Sequence, residues 1–175
     1  MKTILYFHHS ADLYGSDKTL LQLVIGMKKN GYNPIVIIPN SGPLENEFIT
    51  NGIEYFVSPV LKLSRDMFSF RNLFLWISSI YPSFIKIKRI VKNQEIDFIH
   101  SNTLAVLLGA LFAKRYRIKH IWHVHEIIEK PRLIHYFYRI LLQLFSDKII
   151  YNSNASQKCF SQGNKIIKRK SAVIH

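Results

Sequence analysis

The chain has 175 residues, 48% hydrophobic and 13% aromatic, with 7 Gly and 6 Pro; this excludes a disordered tail or a fibrous repeat and fits one domain with a buried core. Twenty-four basic against 11 acidic side chains leave a net charge of +13, which points to polyanionic partners such as nucleic acid, anionic lipid or phosphorylated ligands. The single cysteine, Cys159, excludes an internal disulfide, and no Cys/His set has the spacing of a closed zinc site, so a reducing, cytoplasmic setting is expected.

Thr3–Phe7 predicts a first strand; the apolar run before His8-His9 is too short for a signal peptide. Leu20, Leu21, Val24 and Met27 follow helical spacing, and Asn30-Gly31 stops that helix. A strand at Pro34–Ile38 precedes a helix that starts at Gly42-Pro43-Leu44-Glu45 and ends near Asn51-Gly52, and Ile53–Val57 reads as a strand. Phe70 to Asn93 reads as one long helix or two, with Pro82 forcing a kink or a fresh start. Its uncharged stretch, Asn72–Ile85, falls short of the ~20 residues of a spanning helix, so integral membrane insertion is not expected. Strands then follow at Asp97–His100, His120–Val124 and Lys148–Tyr151, with helices at Thr103–Lys114, Pro131–Phe145 and Ala155–Gln162. Lys170–His175 reads as a last strand after a basic tract.

This alternation predicts βαβ units and hence an α/β fold, a Rossmann-like three-layer α/β/α domain with a mainly parallel sheet. Ile35–Ile38 and Ile149–Tyr151 are continuous apolar runs, as expected where both sheet faces are buried. No repeat, low-complexity segment or linker marks an internal domain boundary.

In such a sheet, ligands bind beyond the carboxyl ends of the strands. After the first strand comes the polar loop His8 to Lys18, where Gly15 lets a ligand approach and Ser16 or Asp17 can cap a helix whose free N–H groups favour anions. Neither a dinucleotide-binding glycine fingerprint nor a phosphate-binding Walker loop is present. The fourth strand ends in His100-Ser101-Asn102, and the fifth in His123-Val124-His125-Glu126. His123 and His125 point to one side of the strand. A metal pair with Glu126 lacks a third ligand, so no metal is expected. A general-base role suits His125, at the strand end beside a carboxylate that can orient it, whereas His123 is read as a structural histidine. Asn152-Ser153-Asn154-Ala155-Ser156 reads as another capped helix start on the same rim, and Cys159 as structural. The tracts Lys86–Lys92 and Lys165–Lys170 read as solvated faces, with binding to an anionic membrane surface kept open by the upstream aromatics Phe68, Phe70, Phe74, Trp76, Tyr81 and Phe84.

Taken together, these residues resemble the N-terminal domain of a GT-B glycosyltransferase of the large retaining family four. Tyr14-Gly15-Ser16-Asp17-Lys18 resembles the family's Gly-Gly-Ala-Glu-Arg helix start, with Tyr14 in place of the first glycine. Asp97 to Asn102 resembles its Asp-hydrophobic-hydrophobic-His-x-His/Asn step, His125-Glu126 its His-Asp/Glu pair, and Asp147 to Ser153 its Asp-x-hydrophobic-hydrophobic-x-x-Ser step. The resemblance implies sugar transfer from a nucleotide-sugar donor to a cell-surface glycan or lipid-linked acceptor, with retention and with neither metal nor other cofactor. It implies that His125 faces the transferred sugar as the catalytic residue, and that Gly15, Ser16, Asp17, His100, Asn102, Glu126 and Ser153 bind substrate. Most of the nucleotide would sit in a C-terminal domain of the same protein, so this chain is expected to be the acceptor-side half, inactive alone, cytoplasmic or peripheral on the inner face of a bacterial membrane.

Two alternatives stand beside this reading. One is a non-enzymatic basic module for nucleic acid, against which the aromatics cluster in apolar helical patterns without helix-turn-helix punctuation. The other is a complete small Rossmann-like enzyme with another cofactor, against which the glycine fingerprint is missing.

Overall fold

The computed structural model describes residues 1–62 and 70–174, except the side chains of Phe70 and Leu73. In chain order these form β1 (Thr3–Phe7), α1 (Gly15–Lys29), β2 (Asn33–Ile38), α2 (Leu44–Thr50), β3 (Glu54–Val57), α3 (Phe70–Ile90), β4 (Phe98–Asn102), α4 (Leu108–Tyr116), β5 (Lys119–Val124), α5 (Arg132–Phe145), β6 (Lys148–Tyr151), α6 (Asn154–Ser161), α7 (Lys165–Lys170) and β7 (Ser171–Val173). The expected Phe68 aromatic and the last residue of the terminal strand, His175, lie outside the described residues.

All seven strands are parallel, in the order β3-β2-β1-β4-β5-β6-β7. The chain builds leftward from β1 to β3, returns through α3, and builds rightward from β4 to β7. Right-handed crossovers in opposite directions place their helices on opposite faces. Accordingly Ile4 and Tyr6 pack with Leu20, Val24, Leu44 and Phe48 under α1 and α2, whereas Leu5 and Phe7 pack with Ile87 and Phe112 under α3 and α4. A further cluster joins Trp122, Ile149 and Tyr151 to Tyr138, Leu142, Phe160 and Ile167 beneath α5, α6 and α7.

The expectation of two covered faces holds for β2, where Pro34–Ile38 are buried, but not for the far edge. In β6, Ile149 and Tyr151 are buried while Ile150 is half-buried, because α1 and α2 pack over the β1–β3 half only. Pro82 neither kinks off nor restarts a helix: α3 runs through it. Ser78 and Pro82 are exposed, so the carbonyl that loses its donor faces water, while Trp76, Ile80, Phe84 and Ile87 hold the inner side against the core. Helix α4 starts five residues later than expected, since Leu107 and Leu108 donate their N–H groups to the carbonyls of Leu61 and Val60 before the helix begins. Helix α7 was not expected; Asn164 caps it by accepting the N–H groups of Ile166 and Ile167.

The aspartates preceding β4 and β6 have structural duties. Asp97 accepts the Thr3 N–H at 2.8 Å and Asp147 the His120 N–H at 2.8 Å, each pinning the start of the neighbouring strand. Helix α4 lies close to the sheet because Gly109 has no side chain; a Cβ there would overlap Ser101 Oγ and come within 2.9 Å of the Phe7 ring.

Candidate functional site

The strand order reverses between β1 and β4, which places the ends of these strands at the crevice where open α/β sheets bind ligands. His8 immediately follows β1, Asn102 ends β4, and His125 immediately follows β5. Asn102 lies opposite His123 in the β4–β5 register, which brings it within reach of both neighbours.

These side chains form one continuous hydrogen-bonded chain. Asn102 Nδ2 donates to His8 Nδ1 at 3.0 Å, and His8 Nε2 donates to Asp17 Oδ1 at 2.5 Å. On its other side, Asn102 Oδ1 accepts from His125 Nε2 at 3.0 Å. The amide of Asn102 thus sets both tautomers: His8 keeps its proton on Nε2, and His125 keeps its on Nε2, leaving Nδ1 as the accepting nitrogen. Asp17 anchors the far end; it also accepts Ser10 Oγ at 2.5 Å and the Tyr14 N–H at 2.9 Å. Burial pushes the Asp17 carboxyl up, but the His8, Ser10 and Tyr14 hydrogen bonds outweigh it and hold the group down at about 2.

The imidazoles gather beside this chain. The ring centroids of His123 and His125 are 4.2 Å apart, those of His8 and His9 4.7 Å, and those of His100 and His123 5.7 Å. Burial, then the neighbouring His8, lowers the proton affinity of His125; burial, then His125, lowers that of His123 to about 4. His9 is lowered to about 4 by burial and then by His8 and Lys62, and burial holds His100 well below the ordinary value. His9, His100, His123 and His125 are thus biased toward their neutral forms, and His125, half-buried with a free accepting nitrogen, can take a proton or a hydrogen bond from a ligand.

Asp17, Asn102 and His125 come together in the structure, joined by His8, the first residue beyond β1. Glu126 does not orient the His125 ring. Its carboxylate instead accepts the backbone N–H groups of Leu104 and His125, both at 3.0 Å, because the chain turns sharply there and both amides point inward. Burial raises the Glu126 pKa against those two bonds. Ser16 sits inside the first turn of α1 and contributes its carbonyl to Asn102 Nδ2 at 3.4 Å, so the N-terminal cap is made by the Asp17 carboxylate on Tyr14. Gly15 is exposed, with open space where a side chain would stand. Ser153 caps α6 by accepting the Ser156 N–H at 3.1 Å. His100 is enclosed between Tyr6 and His123, one residue pair behind the rim. Among the described residues no group of three or more His, Cys, Asp or Glu side chains is placed to hold a metal.

Backbone strain marks the same place. Thr103, next to Asn102, has φ 98°, a conformation costing on the order of 1–3 kcal/mol for a β-branched residue. It is held there by its N–H to the His123 carbonyl at 2.9 Å and by Trp122 Nε1 donating to its own carbonyl at 2.8 Å. A cavity of about 400 Å³, lined by Lys114, Arg117, Lys119, Leu144 and Lys170, lies at the opposite edge of the sheet, where the strands begin.

Comparison with known proteins bears on this arrangement. The glycosyltransferase family 4 model matches residues 14–175. HepE from Anabaena, in a complex with UDP and glucose, superposes with a TM-score of 0.75 at 20% identity, covering 100% of this chain and 44% of that one. A glycosyltransferase from Rickettsia africae gives 0.72 at 19% identity, covering 99% and 42%. MurG from Acinetobacter baumannii gives 0.62 at 12%, covering 89% and 42%. These likenesses establish the fold, and the chain spans less than half the length of these proteins. No curated protein sequence matches the chain.

Proposed function

Because the chain belongs to glycosyltransferase family 4, we propose that it forms the acceptor-side half of an enzyme that moves a sugar, with retention, from a nucleotide-sugar donor to a cell-surface glycan or lipid-linked acceptor. The observation that carries this reading is the Asp17–His8–Asn102–His125 chain at the strand-order reversal. It holds a neutral imidazole at the rim with one nitrogen fixed as donor and the other left to meet substrate. A hydrogen-bond acceptor there orients a sugar hydroxyl, and the neutral ring adds no cation that would compete for the donor's phosphates. The UDP in the HepE complex supports a nucleoside-diphosphate donor.

The donor's nucleotide is assigned to a second domain of the same protein, a reading supported by the 44% coverage of HepE. No metal or cofactor is required by the proposed reaction. The test is nucleoside-diphosphate release from a panel of nucleotide sugars by the full-length protein, with the anomeric configuration of the product read by NMR. His125→Ala is expected to lower kcat by about 100-fold, within the range of a lost general acid–base group, while leaving the fold intact. Unchanged kcat removes His125 from the site, and absence of sugar transfer from every donor overturns the reading.

A further inference from the structure

Helix α5 is amphipathic in an unusual sense: it is apolar on two sides. Its inner side, with Tyr138 and Leu142, is buried in the core. Its outer side exposes Leu133 (81%), Tyr136 (59%), Phe137 (42%), Ile140 (56%) and Leu144 (56%). At 3.6 residues per turn these five positions fall within one stripe about 100° wide, so they form a ridge and not scattered contacts. The stripe runs from the strand-end rim, where α5 starts, to the opposite edge, where Leu144 shares the 400 Å³ cavity with the exposed Lys114, Arg117 and Lys119, and with Asp147 and Lys170, whose Nζ donates to the Gln143 and Ser146 carbonyls. A domain docked on the rim alone therefore leaves most of it bare. At the rim end stand Lys130 and Arg132, and α7, packed against α5, carries Lys165, Lys168 and Arg169. From Ile127 to His175 there are nine basic residues against two acidic, a net +7 of the chain's +13.

We propose that the outer face of α5 docks on an anionic lipid bilayer, with Leu133, Tyr136, Phe137, Ile140 and Leu144 immersed and the cations at both ends of the helix on lipid phosphates. The charge selects this occupant, since an apolar ridge framed by cations with few acids matches the acyl boundary and headgroups of an anionic leaflet. The helix lies in the membrane plane. Its 14 residues make about 21 Å, short of the ~30 Å hydrocarbon core, and among the described residues no helix is long and apolar enough to cross. Helix α3 also exposes Phe74, Leu75, Ile77 and Tyr81, with Arg71 in its first turn and Lys88 and Arg89 in its last, so it is the competing surface that the variants below separate from α5. This inference rests on the surface of the chain and not on the transfer reaction, so either can fail alone.

The experiment is vesicle flotation of the 175-residue chain at about 100 mM salt, with phosphatidylcholine alone and with 30% phosphatidylglycerol. Wild type is expected to float with the anionic vesicles and not the neutral ones. Tyr136→Ser with Ile140→Ser, both on exposed positions, is expected to weaken binding at least tenfold without moving the melting temperature. Lys114→Gln with Lys119→Gln is expected to weaken it about 30-fold, from roughly 1 kcal/mol per cation at an anionic surface. Phe74→Ser with Tyr81→Ser is expected to leave it unchanged. Equal flotation with both vesicles, full binding by the α5 pair, or loss of binding in the α3 pair overturns the proposal. So does tighter retention on duplex DNA than on anionic vesicles at matched salt, or a concentration-dependent dimer that the α5 pair dissolves, which assigns the stripe to a second copy.

Discussion

Asp17→Asn isolates the anchor of the rim network with almost no change in volume. The carboxylate receives three donors, His8 Nε2 and Ser10 Oγ on Oδ1 and the Tyr14 N–H on Oδ2. An amide offers one oxygen and a donor of its own, so whichever way it turns, one N–H faces another donor. A carboxyl held at about 2, against an ordinary value near 3.9, corresponds to about 2.6 kcal/mol of folding stability at neutral pH, and an unsatisfied buried donor costs about 1–3 kcal/mol. These overlap, so a loss of about 2–3 kcal/mol is expected at pH 7, or roughly 4–12 °C in Tm for a chain of this size. Because the folded-state pKa is depressed, the contribution of Asp17 is fully present above about pH 4 and disappears as pH falls through about 2, with roughly half gone by about pH 3. Urea denaturation of both proteins, followed by tryptophan fluorescence, measures the gap. A gap under about 0.5 kcal/mol at pH 7, or one that does not narrow between pH 5 and pH 3, refutes the assignment of Asp17 as the charged anchor.

Asn102→Ala leaves His8 Nδ1 and His125 Nε2 without their shared partner, so it is expected to cost about 1–2 kcal/mol in urea melts and at least tenfold in kcat of the full-length protein. Leu142→Ala empties a fully buried position beneath α5 and is expected to cost about 3 kcal/mol by the same melts. Gly109→Ala forces α4 away from Phe7 and Ser101 and is expected to cost about 1–3 kcal/mol. His120, fully buried and bonded to Ser101 Oγ and the Phe145 carbonyl, is held at about 4, chiefly by burial. Its unfolded form takes up a proton below about pH 6.5 while the folded form does not. Stability is therefore expected to fall as pH drops from 6.5 toward 4, by about 1–2 kcal/mol between pH 7 and pH 5 from this residue alone, and His120→Gln is expected to flatten that slope.

Much of this architecture is local information. Thr3–Phe7 and Lys148–Tyr151 are found as strands at the boundaries their apolar runs imply, because a run of three or four apolar residues flanked by polar ones has few other ways to bury itself. The polar residues that follow these runs mark the rim, so Asp17, Asn102 and His125 were legible as site candidates. Their connection was not. His8 and Asn102 are 94 positions apart, and only the reversal that seats β4 beside β1 brings them into hydrogen-bond range. Glu126 looked like a partner for the adjacent His125 ring, but two inward-facing amides at the turn claim its carboxylate. Leu133, Tyr136 and Ile140 were equally opaque: helical spacing marks them as apolar, while packing on α4, α6 and α7 decides that Tyr138 and Leu142 face the core and these three face outward. The sequence by itself determined the alternation of strands and helices, the excess of positive charge and the residues at strand ends, since these depend on neighbours along the chain. The order of the strands, the proton positions on His8 and His125 and the open face of α5 were decided by tertiary structure, because each depends on groups that only the folded sheet brings together.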